Sequence, residues 1–376
     1  VMDKQGHKHF LLKEIHEQPV VLRRTIGKYL LHPGKPINFA GVSDHGKYSA
    51  QLSDQELKRV ERIKIVACGT AYHAGLVGKY IIEELCGIPV DVETASEART
   101  RRMLVDERTL TIAVSQSGET ADTLAAIGEA RNKGAIILGI TNRPDSHLSR
   151  VCQHLLVTEC GIEVSVAATK TFTAQVACFY LLAIYLAERK QLLSEDRIFA
   201  LKAELLRTPA LIERILATQS DIAAKSIAYA NAPGMMFIGR GVHYPVALEG
   251  ALKLKELTYI HASGYAAGEM KHGPIAVLDE HVPVVTMVIP GNVYEKTISN
   301  AQEAKARRAR MIAVAVEGDE LAARTFETVF SIPPVSEFFS PLISVVPLQL
   351  MSAFIADHLG KDVDQPRNLA KSVTVE

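Results

Sequence analysis

The chain has no excess charge of either sign. Its 376 residues hold 42 Lys plus Arg against 42 Asp plus Glu, for a formal net charge of +0. That balance gives no reason to expect nucleic acid or an anionic membrane as a partner, and any anion must be bound through a local site. Cysteine is sparse: the five (Cys68, Cys86, Cys152, Cys160, Cys178) are odd in number, lack CxxC spacing and sit in or beside apolar runs. This argues against a disulfide frame and for reduced thiols in a cytoplasmic protein. No HxxxH or paired Cys/His spacing occurs, so neither a metal nor a cofactor is expected. The longest apolar run, Ala174 to Ala187, falls short of the roughly 20 residues that span a bilayer. Val1 to Arg24 is too charged for a signal peptide. A soluble protein is expected, with no membrane partner. The missing initiator Met before Val1 hints at a fragment or processed product.

What is present is an internal repeat. The apolar run Ile63 to Cys68 ends in Gly69 and leads into a helical pattern with His73, as Met235 to Ile238 ends in Gly239 and leads into one with His243. Thr111 to Val114 runs into Ser115-Gln116-Ser117-Gly118, and Val284 to Ile289 runs into Pro290-Gly291. Each half continues with a helix (Ala121 to Lys133; Val293 to Ala309), a further strand (Ala135 to Ile140; Met311 to Val316) and an apolar helix bearing Gln175 or Gln349. Short apolar runs alternating with helical periodicity predict βαβ units on a buried parallel sheet. A period this long means two tandem α/β domains rather than a solenoid. The expected layout is a leading linker and helix at 1–45, a first domain at 46–194, a helical connection at 195–225, a second domain at 226–360 and a tail at 361–376. Ligands in such folds lie beyond the carboxyl ends of the strands, so chemistry is sought there.

Ser115-Gln116-Ser117-Gly118-Glu119-Thr120 follows a strand and opens a helix. Hydroxyls, a glycine and free N–H groups at a helix N-terminus suit a phosphate. No Gly-Lys-Ser/Thr follows, which disfavours a nucleoside triphosphate. The same residues would also serve as an ordinary N-cap and turn. The equivalent Ile289-Pro290-Gly291 has lost the hydroxyls, so only one domain reads as a phosphate holder. Thr70, after the neighbouring strand, could add a further hydroxyl.

Tyr244 to Ile260 reads as a helix on which Glu249, Lys253 and Glu256 fall within a band of about 60° among apolar residues. Two readings stay open: a cleft wall tuned for proton transfer, or a salt-bridge ladder that lends helicity. Ala262 to Pro274, with glycines and alanines around Glu269, Lys271 and His272, reads as a loop pressed against something. His272 could exchange protons near neutral pH, or simply bond to backbone. The tail from Asp362 to Glu376 alternates Val and Thr after a Pro-Arg turn and is expected to fold back. A lysine set in a pocket by such a segment could form an imine with a sugar ketone, although most lysines near a terminus are merely solvated.

Taken together, Cys68-Gly69-Thr70, the run Ser115 to Thr123, Glu163 to Gln175, Ala247 to Gly273 and the ending Asp364 to Glu376 closely resemble the C-terminal half of the glucosamine-6-phosphate synthase family. The serine loop is shared by many sugar-isomerase (SIS) proteins. The lysine/glutamate helix followed by Lys271-His272-Gly273-Pro274, and the Arg-Asn-Leu-Ala-Lys-Ser-Val-Thr-Val-Glu ending, are far more specific. The resemblance implies two tandem SIS domains, each a parallel sheet in a flavodoxin-like α/β/α sandwich. It implies conversion of fructose 6-phosphate and ammonia to glucosamine 6-phosphate, the first step of amino-sugar (UDP-N-acetylglucosamine) synthesis. By motif, Ser115, Gln116, Ser117 and Thr120 would hold the phosphate, with Thr70, Val166 and Ala370 touching the sugar. His272 would open the furanose ring, Lys371 would form the imine, and Glu256 would move the proton between C1 and C2. Lys253 would assist at the hydroxyl and Glu163 would frame the pocket. A homodimer is also implied, with His272 reaching the neighbouring subunit's site.

Ala71 and Ala168 stand where many members of that family carry serine. No cysteine precedes Cys68, so the N-terminal cysteine nucleophile of the family's glutaminase domain has no counterpart here. The chain is therefore expected not to take nitrogen from glutamine. Two other readings stay open: a phosphosugar-sensing regulator, disfavoured by the lack of a helix-turn-helix segment, and another ketose- or aldose-phosphate isomerase or deglycase.

Overall fold

The computed structural model describes residues 3–44 and 46–375. Val1, Met2, His45 and Glu376 lie outside the described residues, and with them the outer ends of the expected linker and tail. The chain forms two compact units. One, here the first lobe, comprises Val20–Glu163, Lys170–Arg207 and the residues from Ala370 onward; the second lobe holds the residues up to Pro19, Val164–Thr169 and Thr208–Leu369.

In chain order, the elements up to the end of the first sheet are α1 (Phe10–Tyr29), the hairpin β1 (Ala40–Ser43) and β2 (Gly46–Ser49), α2 (Asp54–Arg59), β3 (Arg62–Ala67), α3 (Gly69–Cys86), β4 (Val90–Thr94), α4 (Ala95–Ala98), β5 (Thr109–Val114), α5 (Ala121–Asn132), β6 (Ile136–Thr141), α6 (His147–Val151) and β7 (His154–Val157). The helices α7 (Lys170–Arg189), α8 (Glu195–Leu216) and α9 (Gln219–Ile227) follow. Then come β8 (Gly234–Gly239), α10 (His243–Thr258), β9 (His261–Ala266), two 3-10 turns (Ala267–His272 and Pro274–Val277), β10 (Pro283–Val288), α11 (Tyr294–Lys305), β11 (Arg310–Val316), α12 (Glu320–Thr325), β12 (Thr328–Ile332) and α13 (Pro341–His358).

Each lobe is built on a five-stranded parallel sheet. The orders are β4-β3-β5-β6-β7 and β9-β8-β10-β11-β12, so both follow the 2-1-3-4-5 pattern of flavodoxin-like folds. The expected duplication and three-layer architecture are thus present. Interior strands β5, β6 and β10 are buried at every position, as a parallel sheet covered on both faces requires. In the first lobe α3 packs with α7, while α4 to α6 cover the other face around Ala126, Ile127 and Leu148. In the second lobe α10 packs with α13, and α11 and α12 cover the opposite face around Ile298, Ala301 and Ala322.

Three points need correction. Ala262 to Pro274, expected as a loop, begins with β9, paired in parallel with β8, and continues as a 3-10 turn. The strands β4, β7, β9 and β12 went unread, and all four are sheet edges. Length and composition of helices α7 and α13 do reach the membrane range, but 94% and 83% of their apolar windows are buried inside the structure. They are the core helices of their lobes, and polar ends carry α7 beyond the apolar run read from sequence.

Within the second lobe the start of α1 is tied to the end of the chain. The Asp364 carboxylate accepts the N–H groups of Phe10 (3.0 Å) and Leu11 (2.9 Å), capping the helix. Asp357 takes Lys8 and His9 at 2.9 and 2.8 Å. Buried Glu14 accepts from the backbone of Val164 and Ser165.

Candidate active site

Ser115 to Thr120 occupies the switch point of the first sheet. The chain leaves β3 toward β4 on one side and returns to β5 on the other, so the ends of β3 and β5 flank a natural crevice. Helices α3 and α5 both start there, and each brings N–H groups without intrahelical partners. The loop is held rigidly from below. Buried Ser115 accepts the N–H of Gly118 at 3.0 Å, and its hydroxyl lies 2.9 Å from that of Thr120. Ser117 Oγ accepts the N–H of Glu119 at 3.2 Å, while the Gln116 carbonyl takes the N–H of Asn142 at 3.1 Å. Gly118 sits at φ +67°, and a Cβ there would lie 2.1 Å from Ser146 Oγ, so only glycine keeps the turn closed. Thr120 and Cys68 stand at the N-caps of α5 and α3 without capping through their side chains. Thr70 is half-buried in the first turn of α3. Two helix N-termini with hydroxyls between them have the chemistry that suits an anion.

Also in the first lobe, Lys371 donates to Glu163 Oε1, and Glu163 Oε2 accepts the N–H of Thr171 at 3.1 Å. The carboxylate of Glu163 is fully buried, whereas a quarter of the Lys371 side chain is exposed. The tail therefore does return to the body at Lys371, but Ala370 and the flanking Val373 and Val375 are exposed and form no strand.

The second lobe carries the other residues singled out by sequence. On α10, Lys253 donates to Glu256 at 2.6 Å and lies 3.4 Å from Glu249. The side chains of Lys253 and Glu249 are 1% and 0% exposed and that of Glu256 is 20%, which excludes a solvent-facing ladder. Burial alone would lower the Lys253 pKa, but Glu256 and Glu249 outweigh it and hold the ammonium above its ordinary value. Lys253 is thus a fixed cation, and Glu256 is the member of the group with access to solvent. His272 is exposed at the end of the first 3-10 turn. Val166 is half-buried, and its N–H donates to the Asp364 carbonyl at 3.0 Å.

Sequence reasoning missed several groups that support these side chains. The Thr171 N–H that fixes Glu163 is in the first turn of α7, and Thr141 and Ser146 behind Gly118 are at the end of β6 and the N-cap of α6, with partners that only the fold supplies. Glu337 was also missed. Its carboxylate accepts the N–H of Asn292 at 3.3 Å and lies 3.6 Å from His243 Nε2, an ion-pair separation rather than a hydrogen bond. Among the described residues no cluster of three His, Cys, Asp or Glu could hold a metal ion.

Two sheets of one strand order, one with a hydroxyl-rich loop at its switch point, define a duplicated flavodoxin-like α/β protein. The SIS-domain model matches residues 56–185 and 228–355. The chain belongs to the SIS-domain family, and within it to the C-terminal part of the glutamine–fructose-6-phosphate aminotransferases. It is 52% identical to the isomerising glutamine–fructose-6-phosphate aminotransferase of Gloeobacter violaceus and 46% identical to that of Thermus thermophilus, each over the whole of this chain. It spans 60% of the length of these relatives. The solved C-terminal domain of glucosamine-fructose-6-phosphate aminotransferase from Francisella tularensis superposes with a TM-score of 0.89 at 36% identity, covering 97% of this chain and all of that one. A glucosamine-6-phosphate deaminase from Thermotoga maritima, 22% identical with a TM-score of 0.73, shares the fold.

Proposed function

We propose that this chain is the sugar-converting part of a glucosamine 6-phosphate synthase. Fructose 6-phosphate binds with its phosphate on Ser115, Gln116, Ser117 and Thr120, with Thr70, Val166 and Ala370 against the sugar. His272 opens the furanose ring to expose the C2 ketone. The Lys371 amine adds to C2 and water leaves, giving an imine; Glu163, already bonded to Lys371, is the group placed to take its proton. Ammonia then displaces Lys371 from C2. Glu256 removes a proton from C1 and returns one to C2, leaving an aldehyde at C1 and an amine at C2. Lys253, a buried cation beside Glu256, assists at the neighbouring hydroxyl. The ammonia comes from a glutaminase domain, and the assembly is a cytoplasmic homodimer in which His272 serves the neighbouring subunit, in keeping with its exposure here.

The observation that carries this reading is the rigid hydroxyl loop at the switch point of the first sheet. With fructose 6-phosphate and an ammonium salt, the purified chain should form glucosamine 6-phosphate. Lys371→Ala and Glu256→Gln should each lower turnover by about a hundredfold or more while the sugar phosphate still binds. Wild-type turnover in both variants would overturn the catalytic roles.

A further inference from the structure

The second lobe has the same switch point as the first, between β8 and β10, with α10 and α11 starting beside it. An internal carboxylate already fills it. Glu337 Oε1 accepts the N–H of Asn292, just ahead of α11, at 3.3 Å. A Cβ on Gly291 (φ +156°) would meet Glu337 Oε2 at 2.1 Å, so the backbone is cut back to admit the carboxylate. His243, in the first turn of α10, is 0% exposed; neither ring nitrogen has a hydrogen-bond partner, and Nε2 points at Glu337 from 3.6 Å. A fully buried imidazole and a helix N-terminus converge on one point, and what they meet there is an anion supplied by the chain.

The first lobe shows why this matters. Its fifth strand, β7, and last helix, α7, are joined by a segment bearing Glu163, as β12 and α13 are joined by one bearing Glu337. Glu163 accepts from the Thr171 N–H and from Lys371. Glu337 turns onto the loop itself.

We propose that Glu337 is a built-in substitute for phosphate: it occupies in the second lobe the position that a sugar phosphate takes in the first, so the chain binds one phosphosugar and not two. Removing the carboxylate opens a second oxyanion site bounded by His243, Asn292 and the start of α11. The proposal rests on the phosphate reading of residues 115–120.

The test is to soak crystals of the wild type and Glu337→Ala in tungstate, a tetrahedral oxyanion located by its anomalous signal, and to titrate thermal unfolding with inorganic phosphate. The wild type should hold one anion, at residues 115–120. The variant should hold two, the second at residues 290–294, and should gain more stability from phosphate than the wild type. Glu337→Ser, which leaves a hydroxyl as in the first-lobe loop, serves the same test if the alanine form folds poorly. A variant with an anion at 115–120 and none at 290–294 overturns the proposal, as does a wild type that already binds at 290–294. An anion at 290–294 in the variant but none at 115–120 in either form would count against the first-lobe reading alone.

Discussion

The two lobes share strand order, helix placement and a glutamate in the segment after the fifth strand, yet they differ in what meets the switch point. In the first lobe the loop carries Ser115, Ser117 and Thr120, and Glu163 pairs with Thr171 N–H and Lys371; in the second, Ile289-Pro290-Gly291 carries no hydroxyl and Glu337 accepts the N–H of Asn292. One copy presents hydroxyls at the switch point, and the other sets a carboxylate against it and carries the charged helix α10 after the adjoining strand. A duplicated fold can thus give its halves different chemistry at the same place without changing its topology.

The difference can be broken at several points. Lys253→Met should have the largest effect on the second lobe, since it leaves Glu249 and Glu256 without their buried cation. A destabilisation of about 3–5 kcal/mol is expected, read by denaturant unfolding. An unchanged midpoint would mean that the two carboxylates are satisfied in another way. Next comes a matched pair of glycine changes. Gly118→Ala should raise the KM for fructose 6-phosphate about tenfold or more, because the new methyl forces Ser146 and the turn apart. Gly291→Ala should push on Glu337, lowering thermal stability while KM stays near wild type. Equal KM effects would erase the functional contrast between the loops.

The smallest expected effect is on acid stability. His243 is the main cause holding the Glu337 carboxyl below its ordinary value of 4.5, with burial opposing and the N–H groups of 292 and 293 assisting. A folded value below the unfolded one means that the stabilisation is fully present above pH 4.5 and is lost as pH falls through the folded value. Thermal unfolding followed down to about pH 3 should therefore fall more steeply in the wild type than in Glu337→Gln. Parallel slopes would remove the carboxylate from the account.

What the sequence disclosed follows from burial. Interior strands such as β5 and β10 are apolar at nearly every position, so Thr111 to Val114 and Val284 to Ile289 stood out. The edge strands alternate or carry small and charged residues (Val90-Asp91-Val92-Glu93-Thr94 in β4, His261-Ala262-Ser263-Gly264 in β9) and do not stand out as apolar runs, because only one neighbouring strand holds them. The serine loop and the α10 stripe were legible because their chemistry is local in sequence. Glu337 was not, because its partners lie at positions 243 and 292, and neither spacing nor periodicity connects them.

The tie between Asp364 and the first turn of α1 bears on how the molecule is made. Residues 10 and 364 must meet before that cap forms, so the second lobe cannot be completed until residue 364 has left the ribosome. Most of the first lobe lies in residues 20–207 and can collapse while synthesis continues. Birth order therefore favours the first lobe being ready first, with the second lobe sealed later by the cap that Asp364 provides.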